Sequence, residues 1–139
     1  MTKEIRTVYD LMAAAANKLA GKPVTLRLQA PATKGLLGEV HKAANGTMVI
    51  DLRPDLDNEQ TLKVLLHETG HIRTMEFLPS RYYKQAPGSV TRTPLTKAQK
   101  THETRADLLA RKWETWGKAH ARPDLPELEG ILTALLYDY

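Results

Sequence analysis

The sequence contains no cysteine among its 139 residues. This absence excludes disulfide bonds and every thiolate metal site, and it fits a reducing compartment. Any zinc ion would therefore need histidine and carboxylate ligands. Internal repeats and low-complexity tracts are also missing. The length then predicts one domain over residues 1–139, which is large enough to bury a core without disulfide or metal staples.

Long apolar segments are absent as well. No uninterrupted apolar run approaches the roughly 20 residues that cross a bilayer. The N-terminal stretch carries Lys3, Glu4, Arg6 and Asp10, and the apolar core of a signal peptide does not follow it. These features predict a cytoplasmic protein with no membrane partner.

Acidic residues are scarce in one part of the chain. The whole chain has a net charge of +4, while residues 79–122 hold ten Lys and Arg against three Asp and Glu. A basic surface of this kind attracts nucleic acid or acidic partners. No aromatic-interleaved basic motif accompanies it, so a solvated surface is the favoured interpretation.

Hydrophobic periodicity divides the chain into helices and strands. Asp57 and Thr96 have the sequence context of helix caps. Asn45-Gly46 predicts a hairpin, because both residues accept positive φ. The order predicts an α+β domain with an N-terminal helix, a three-stranded, mainly antiparallel sheet, two central helices and a C-terminal helix. The predicted helices span residues 3–20, 58–78, 97–118 and 127–137, and the predicted strands span residues 24–29, 39–43 and 47–52.

The second predicted helix carries His67-Glu68-Thr69-Gly70-His71, an H-E-x-x-H sequence. Residues four apart lie on one face of a helix, so His67 and His71 can bind one zinc ion. Glu68 then lies close enough to accept a proton from a metal-activated water. A capped start and Pro79 at the end give the motif the helical context that it requires.

A third protein ligand is expected, because catalytic zinc usually takes three. Phe77 stands where an extended motif would have another histidine. Glu103 on the next helix is the favoured ligand, and Asp107, one turn further on, would orient a ligand histidine. His102 is the competing ligand, but it lies about 100° around the helix from Glu103.

These motifs resemble a known family. His-Glu-x-x-His followed about thirty residues later by Glu-x-x-x-Asp is similar to the gluzincin pattern of zinc peptidases. The Asn-Gly hairpin, the strand Val-Ile-Asp-Leu, the run Leu-Leu-His-Glu-Thr-Gly-His and the run Glu103-x-x-Ala106-Asp107-x-x-Ala110 resemble the ImmA/IrrE-type metallopeptidases. The resemblance covers roughly residues 3–115, and Thr69 stands where that family usually has leucine. It implies a small zincin-like domain and a cytoplasmic zinc peptidase, in some members acting on a DNA-binding regulator.

The sequence therefore predicts a zinc-dependent endopeptidase that hydrolyses a peptide bond in an intracellular protein. His67, His71 and Glu103 would bind one Zn²⁺ per chain, and Glu68 would be the general base. The strand 47–52 would offer its edge to an extended peptide substrate. The candidates for stabilising the oxyanion are Tyr82, Tyr83, His102 and Arg73. His41 and His120 are predicted to be surface residues.

Two other interpretations remain at this point. In one, the protein is a metal-stabilised module that binds nucleic acid or protein through the basic segment 79–122. In the other, it is an interaction protein with a degenerate, metal-free site. The intact set of His67, Glu68, His71 and Glu103 argues against the second interpretation.

Overall fold

A computed structural model describes residues 7–74 and 97–139, with side chains in the second range described from residue 105 onwards. The predicted α+β class is confirmed, and the elements follow in the predicted order. The first helix begins at Val8, because Thr7, which the prediction placed inside the helix, has an extended backbone and caps it by accepting a hydrogen bond from the amide of Asp10. The parts of the predicted helices at residues 3–6 and 75–78 lie outside the described residues. The elements are α1 (Val8–Ala20), β1 (Val24–Leu28), β2 (Gly38–Lys42), β3 (Met48–Leu52), α2 (Asn58–Thr74), α3 (Lys97–Ala119) and α4 (Glu127–Tyr137).

The three strands form one sheet in the order β1-β3-β2. β2 and β3 pair antiparallel, whereas β1 and β3 pair parallel, so the sheet is mixed and not mainly antiparallel. The hairpin fixes the β2–β3 pairing locally. Residues 29–37 carry the chain from β1 to the far edge of the sheet, and β3 then returns between the other two strands. This crossing leaves the place beside β1 to β3, which runs in the same direction as β1, so the two strands pair in parallel.

The central place of β3 corrects one functional prediction. Both sides of β3 are already paired, so the strand predicted at 47–52 has no edge to offer a peptide. The outer strands are β1 and β2, and within the described residues each pairs on one side only.

The predicted hairpin is confirmed, but its turn differs from the expected one. Gly46 has a φ of 88°, while no residue other than glycine has positive φ in the described chain. The amide of Gly46 donates to the carbonyl of Ala43 at 2.9 Å, and the Asn45 side chain accepts from the amide of Thr47 at 3.0 Å. One left-handed glycine after an ordinary turn is therefore sufficient, and Asn45 acts through its side chain.

The helices pack in two layers on one face of the sheet. α1 and α2 lie against the strands, and α3 and α4 pack chiefly on α2 and α1. The α2 residues Leu62, Leu65 and Leu66 are at most 1% exposed, which puts this helix in the middle of the core. Within the described residues, no helix has both the length and the apolarity needed to cross a bilayer.

The other face of the sheet carries a charged network that joins all three strands. Asp51 on β3 is 2% exposed and accepts hydrogen bonds from Arg27 Nε at 2.7 Å and Nη2 at 2.9 Å. The Nε2 atom of His41 lies 3.1 Å from the same carboxylate. The hydrogen bond with Asp51 raises the pKa of the Arg27 guanidinium. The aspartate of the Val-Ile-Asp-Leu strand thus links neighbouring strands, and His41 lies on this partly exposed face as predicted.

Candidate metal centre

The H-E-x-x-H sequence lies well inside α2. The helix begins after Asp57, whose side chain accepts a hydrogen bond from the amide of Gln60 at 2.8 Å. This contact satisfies one of the free amides of the first turn, as the sequence predicted. The helix then continues to Thr74, so His67 and His71 lie one turn apart on one side of a regular helix.

Three buried side chains form the candidate metal centre: His67, Glu68 and His71. Their exposed fractions are 5%, 0% and 0%. The Nε2 atoms of the two histidines lie 2.9 Å apart, and one ligand atom from each of the three residues lies within 4.8 Å of the others. Buried ionisable groups are costly unless they are paired or coordinate a metal. This group could hold a metal ion.

A close helix contact places α3 beside the centre. A Cβ atom on Gly70 would lie 2.8 Å from the carbonyl oxygen and 3.3 Å from the Cα atom of Ala106. Such distances are shorter than an ordinary van der Waals contact. Glycine at position 70 and alanine at position 106 therefore allow the two backbones to meet.

This contact brings Asp107 to the second ring nitrogen of His67. Asp107 Oδ1 lies 3.9 Å from His67 Nδ1, and its other oxygen lies 3.1 Å from Arg111 Nε. The Nε2 atom of His67 faces His71, so the two nitrogens of one imidazole face different groups. The distance of 3.9 Å is longer than a hydrogen bond. A carboxylate on this side that came within hydrogen-bond distance could orient the ring and fix its tautomer, which is the role that the sequence predicted for Asp107.

Strand β2 also contributes to the centre through its first residue, which no sequence motif marks. A Cβ atom on Gly38 would lie 2.5 Å from Val64 Cγ1 and 3.3 Å from Glu68 Cγ. Gly38 therefore lets the strand pass directly over the glutamate. Gly38 lies one residue before the predicted strand 39–43, whereas in the structure it is the first residue of β2.

Thr69 is fully buried, and its hydroxyl is hydrogen-bonded within the helix. Its hydroxyl donates to the carbonyl of Leu65 at 2.7 Å. This hydrogen bond to the preceding turn removes the cost of burying a hydroxyl at a position expected to be apolar. Threonine at position 69 is therefore compatible with an intact α2.

Arg73 and His120 both lie away from the centre. Arg73 lies against Gly21, where a Cβ atom would be 2.5 Å from Arg73 Nη1. Two residues beyond His71 on a helix is about 200° further round, so Arg73 faces the end of α1 and its prediction as an oxyanion donor is wrong. His120 is exposed and stacks on Trp116 with ring centroids 4.0 Å apart, as expected of a surface residue.

Other predictions fall on parts of the chain without described side chains. Tyr82, Tyr83 and the Thr96 cap lie outside the described residues. His102 and Glu103 lie on α3, but their side chains are also outside the described set. Their roles as oxyanion donor, competing ligand and third ligand stay predictions.

Two grooves differ in their relation to the centre. A groove of about 390 Å³ runs between α2 and α3 and includes His67 and Asp107 in its lining. A wider groove of about 1200 Å³ lies on the far face of the sheet and is lined by Arg27, His41 and Asp51 among others. The wider groove includes none of the centre's residues, whereas the smaller one reaches the centre at His67, among the residues that the structure describes.

The chemistry of this centre has to be inferred from its own side chains and their geometry. Neither a family model, nor a curated protein, nor a solved structure matches the chain.

Proposed function

We propose that this chain is a zinc-dependent peptidase that hydrolyses a peptide bond in a protein substrate. One observation carries the proposal: His67, Glu68 and His71 are buried together, with the two Nε2 atoms 2.9 Å apart. Two imidazoles and an adjacent carboxylate on one helix are the residue types that a hydrolytic zinc site requires.

The donor set fits zinc after a small adjustment. Zn–N bonds of about 2.0–2.1 Å at a tetrahedral angle put two ligand nitrogens roughly 3.3 Å apart. The two Nε2 atoms therefore need to separate by about 0.4 Å from their present 2.9 Å, which a small rotation of either ring provides. The absence of cysteine leaves nitrogen and oxygen donors alone, which zinc accepts.

The packing of α3 supports a carboxylate as the third ligand. α2 and α3 run antiparallel, with Gly70 against Ala106 and His67 beside Asp107. One turn further along α2 is His71, and one turn back along α3 is position 103. The backbone thus brings Glu103 level with His71, and we assign Glu103 as the third ligand.

Each residue of the centre has a distinct task in this proposal. When bound, zinc would act as a Lewis acid that polarises the peptide carbonyl and makes water acidic enough to react near neutral pH. Glu68 would accept the proton of the attacking water and pass it to the leaving amine. Asp107 would hold His67 through Nδ1, so that Nε2 stays available as a ligand.

β2 is the strand that we assign to substrate binding, in place of β3. Its first residue, Gly38, approaches Glu68, and β2 lies at the edge of the sheet. An extended peptide added beside β2 by main-chain hydrogen bonds would pass close to the general base.

Glu68→Gln tests the proposal because the amide keeps the size of the side chain but cannot accept the proton. We expect about one zinc per chain in both proteins and peptide hydrolysis only in the wild type. Zinc is measured by mass spectrometry and hydrolysis with an unstructured protein substrate. Glu39→Gln is a matched control, since Glu39 is also buried but lies on the far face of the sheet. If the Glu68→Gln protein hydrolyses the substrate as fast as the wild type, Glu68 is not the general base.

The nucleic-acid-binding alternative has less support in the described part of the basic segment. Of the five cations between residues 105 and 122, Arg111, Lys118 and Arg122 are each paired with a carboxylate. Paired cations contribute less to phosphate binding than unpaired ones. Salt-dependent DNA binding by the Glu68→Gln protein would nevertheless favour this alternative over the peptidase.

A further inference from the structure

A small cavity between α1, α2 and α3 lies on the side of α2 that is turned away from the metal centre. Its α2 residue is Arg73, which is about 200° around the helix from His71. The volume of the cavity is about 280 Å³, close to the lower limit for small-molecule sites. None of its lining residues belongs to the metal centre or to the groove that includes His67. A ligand in this cavity would therefore bind apart from the proposed zinc site.

The charged side chains that line this cavity are all positive. They are Lys18 from α1, Arg73 from α2 and Lys112 from α3, and we call the space between them the basic cavity. Aspartate and glutamate are absent from the described residues that line it. Three like charges on three helices produce a positive potential in the space that they enclose, and this potential attracts an anion.

Two of these cations, Arg73 and Lys112, are available to an anion. Neither has a hydrogen bond or an ion pair with another residue in the described part of the chain, whereas Arg27 and Arg122 are each paired with a carboxylate. The Arg73 guanidinium lies against the backbone of Gly21, where a Cβ atom would be 2.5 Å from Nη1. A guanidinium offers a planar fork of N–H donors that matches two oxygens of a phosphate group.

The remaining lining of the basic cavity is apolar and aromatic. Leu19 and Trp113 are 5% and 3% exposed, so core packing fixes their positions. Tyr139 is 41% exposed, and its ring makes an edge contact with Trp116, with ring centroids 4.9 Å apart. Lys18 Nζ donates to the main-chain oxygen of Tyr139 at 3.0 Å. These contacts hold the tyrosine in place and leave part of its ring accessible for stacking.

We propose that the basic cavity binds a small phosphate-bearing molecule with a flat heterocyclic or aromatic body, of the class of a nucleoside monophosphate. Arg73 and Lys112 would bind the phosphate oxygens through charge-assisted hydrogen bonds, and Tyr139 would stack on the ring. Arg111 and Lys118, two neighbouring cations on α3, pair with carboxylates, which favours a single phosphate group over a nucleic-acid backbone. The proposal does not depend on the peptidase function.

Adenosine monophosphate is the probe that tests the proposal, with inorganic phosphate and adenosine as comparisons. Isothermal titration calorimetry at physiological salt should give one adenosine monophosphate per chain. Its affinity should exceed that of phosphate by at least about fivefold, because phosphate cannot stack, and that of adenosine by at least about tenfold, because adenosine has no charge. Trp113 lines the cavity and Trp116 contacts Tyr139, so the two indole N–H resonances should shift on binding.

Glutamine variants test the two proposed phosphate ligands. Arg73→Gln and Lys112→Gln should each weaken binding of adenosine monophosphate at least about tenfold. The matched controls are Arg53→Gln and Lys118→Gln, which remove the same charges from cations that pair with carboxylates outside the cavity and should leave the affinity unchanged. Tyr139→Ala should retain phosphate binding and lose the advantage of adenosine monophosphate. Lys112 is exposed, so Lys112→Gln still tests the proposal if Arg73→Gln does not fold.

The outcomes separate the proposal from its alternatives. Binding that Lys112→Gln weakens and Lys118→Gln retains, together with the preference over phosphate and adenosine, supports it. The proposal is overturned by no binding of adenosine monophosphate, by binding that Arg73→Gln and Lys112→Gln both retain, or by equal affinity for either comparison compound. A single-stranded oligonucleotide that binds more tightly than adenosine monophosphate, and loses affinity in Lys112→Gln, would overturn it in favour of a nucleic-acid surface.

Discussion

Gly70→Ala perturbs the contact that brings the two central helices together. The new methyl carbon would lie 2.8 Å from the Ala106 carbonyl oxygen and 3.3 Å from its Cα atom. Both of these atoms belong to the backbone of α3, which cannot rotate away as a side chain does. The helices must therefore separate, and Asp107 must move away from His67.

Two opposing terms set the size of the effect. Alanine in a helix interior is more favourable than glycine by up to about 1 kcal/mol. Forcing an extra methyl group into a close-packed contact costs about 1–3 kcal/mol, and the upper half of that range applies when the neighbour is backbone. We expect Gly70→Ala to lower the free energy of unfolding by about 1–2 kcal/mol and to weaken metal binding.

Gly117→Ala is the matched control on α3. Its methyl group would meet the side chains of Ile131 and Leu135 at 2.9 Å and 3.2 Å, and side chains can adjust. The gain in helix propensity should then offset most of the cost, leaving the free energy of unfolding within about 1 kcal/mol of wild type. Urea unfolding of both proteins gives the comparison. If the Gly70→Ala protein is as stable as wild type, or more stable than the Gly117→Ala protein, the close backbone contact between Gly70 and Ala106 is refuted.

Three further predictions concern the centre and the charges around it. Asp107→Ala should weaken zinc binding about 10–100-fold in a chelator competition, because His67 loses the group that orients it; unchanged affinity would contradict this role. Glu103→Ala should lower the zinc content clearly below one per chain while His102→Ala retains it, and the reverse result would make His102 the third ligand. The hydrogen bond from Lys118 lowers the pKa of Glu59 from its ordinary 4.5, so the stability from this pair is present above that pH and is lost as pH falls through the lowered pKa. Lys118→Met should therefore be less stable than wild type near pH 7, and the difference in urea unfolding should diminish towards about pH 3.

Local signals in the sequence predicted the elements well. The Asp57 cap, the Asn45-Gly46 turn and the spacing of Leu62, Leu65 and Leu66 each depend on residues a few positions apart. Because such interactions join residues that are close in sequence, the predicted bounds of the helices and strands agree with the structure to within a residue or two wherever the structure describes them.

Long-range placement was harder to predict from the same sequence. The position of β3 between β1 and β2 depends on how residues 29–37 cross the sheet, and no local pattern records that path. The approach of Gly38 to Glu68 likewise follows from tertiary packing. The direction of Arg73, in contrast, follows from its place about 200° around α2 from His71. Asp107 lies on the side of α3 that faces His67, because residues four apart lie on one face of a helix, and its role in orienting a metal ligand stays a prediction.

The sheet order has a consequence for how the protein folds. β2 and β3 are joined by a short turn, so their pairing closes a small loop and can form early. The parallel pairing of Val24 with Met48 closes a larger loop, and the contact between His67 and Asp107 spans a still longer segment of chain. By the same reasoning, the contact of α3 with the metal centre should form after the hairpin and after the pairing of β1 with β3. A ligand that binds only the completed centre slows unfolding and leaves the folding rate nearly unchanged.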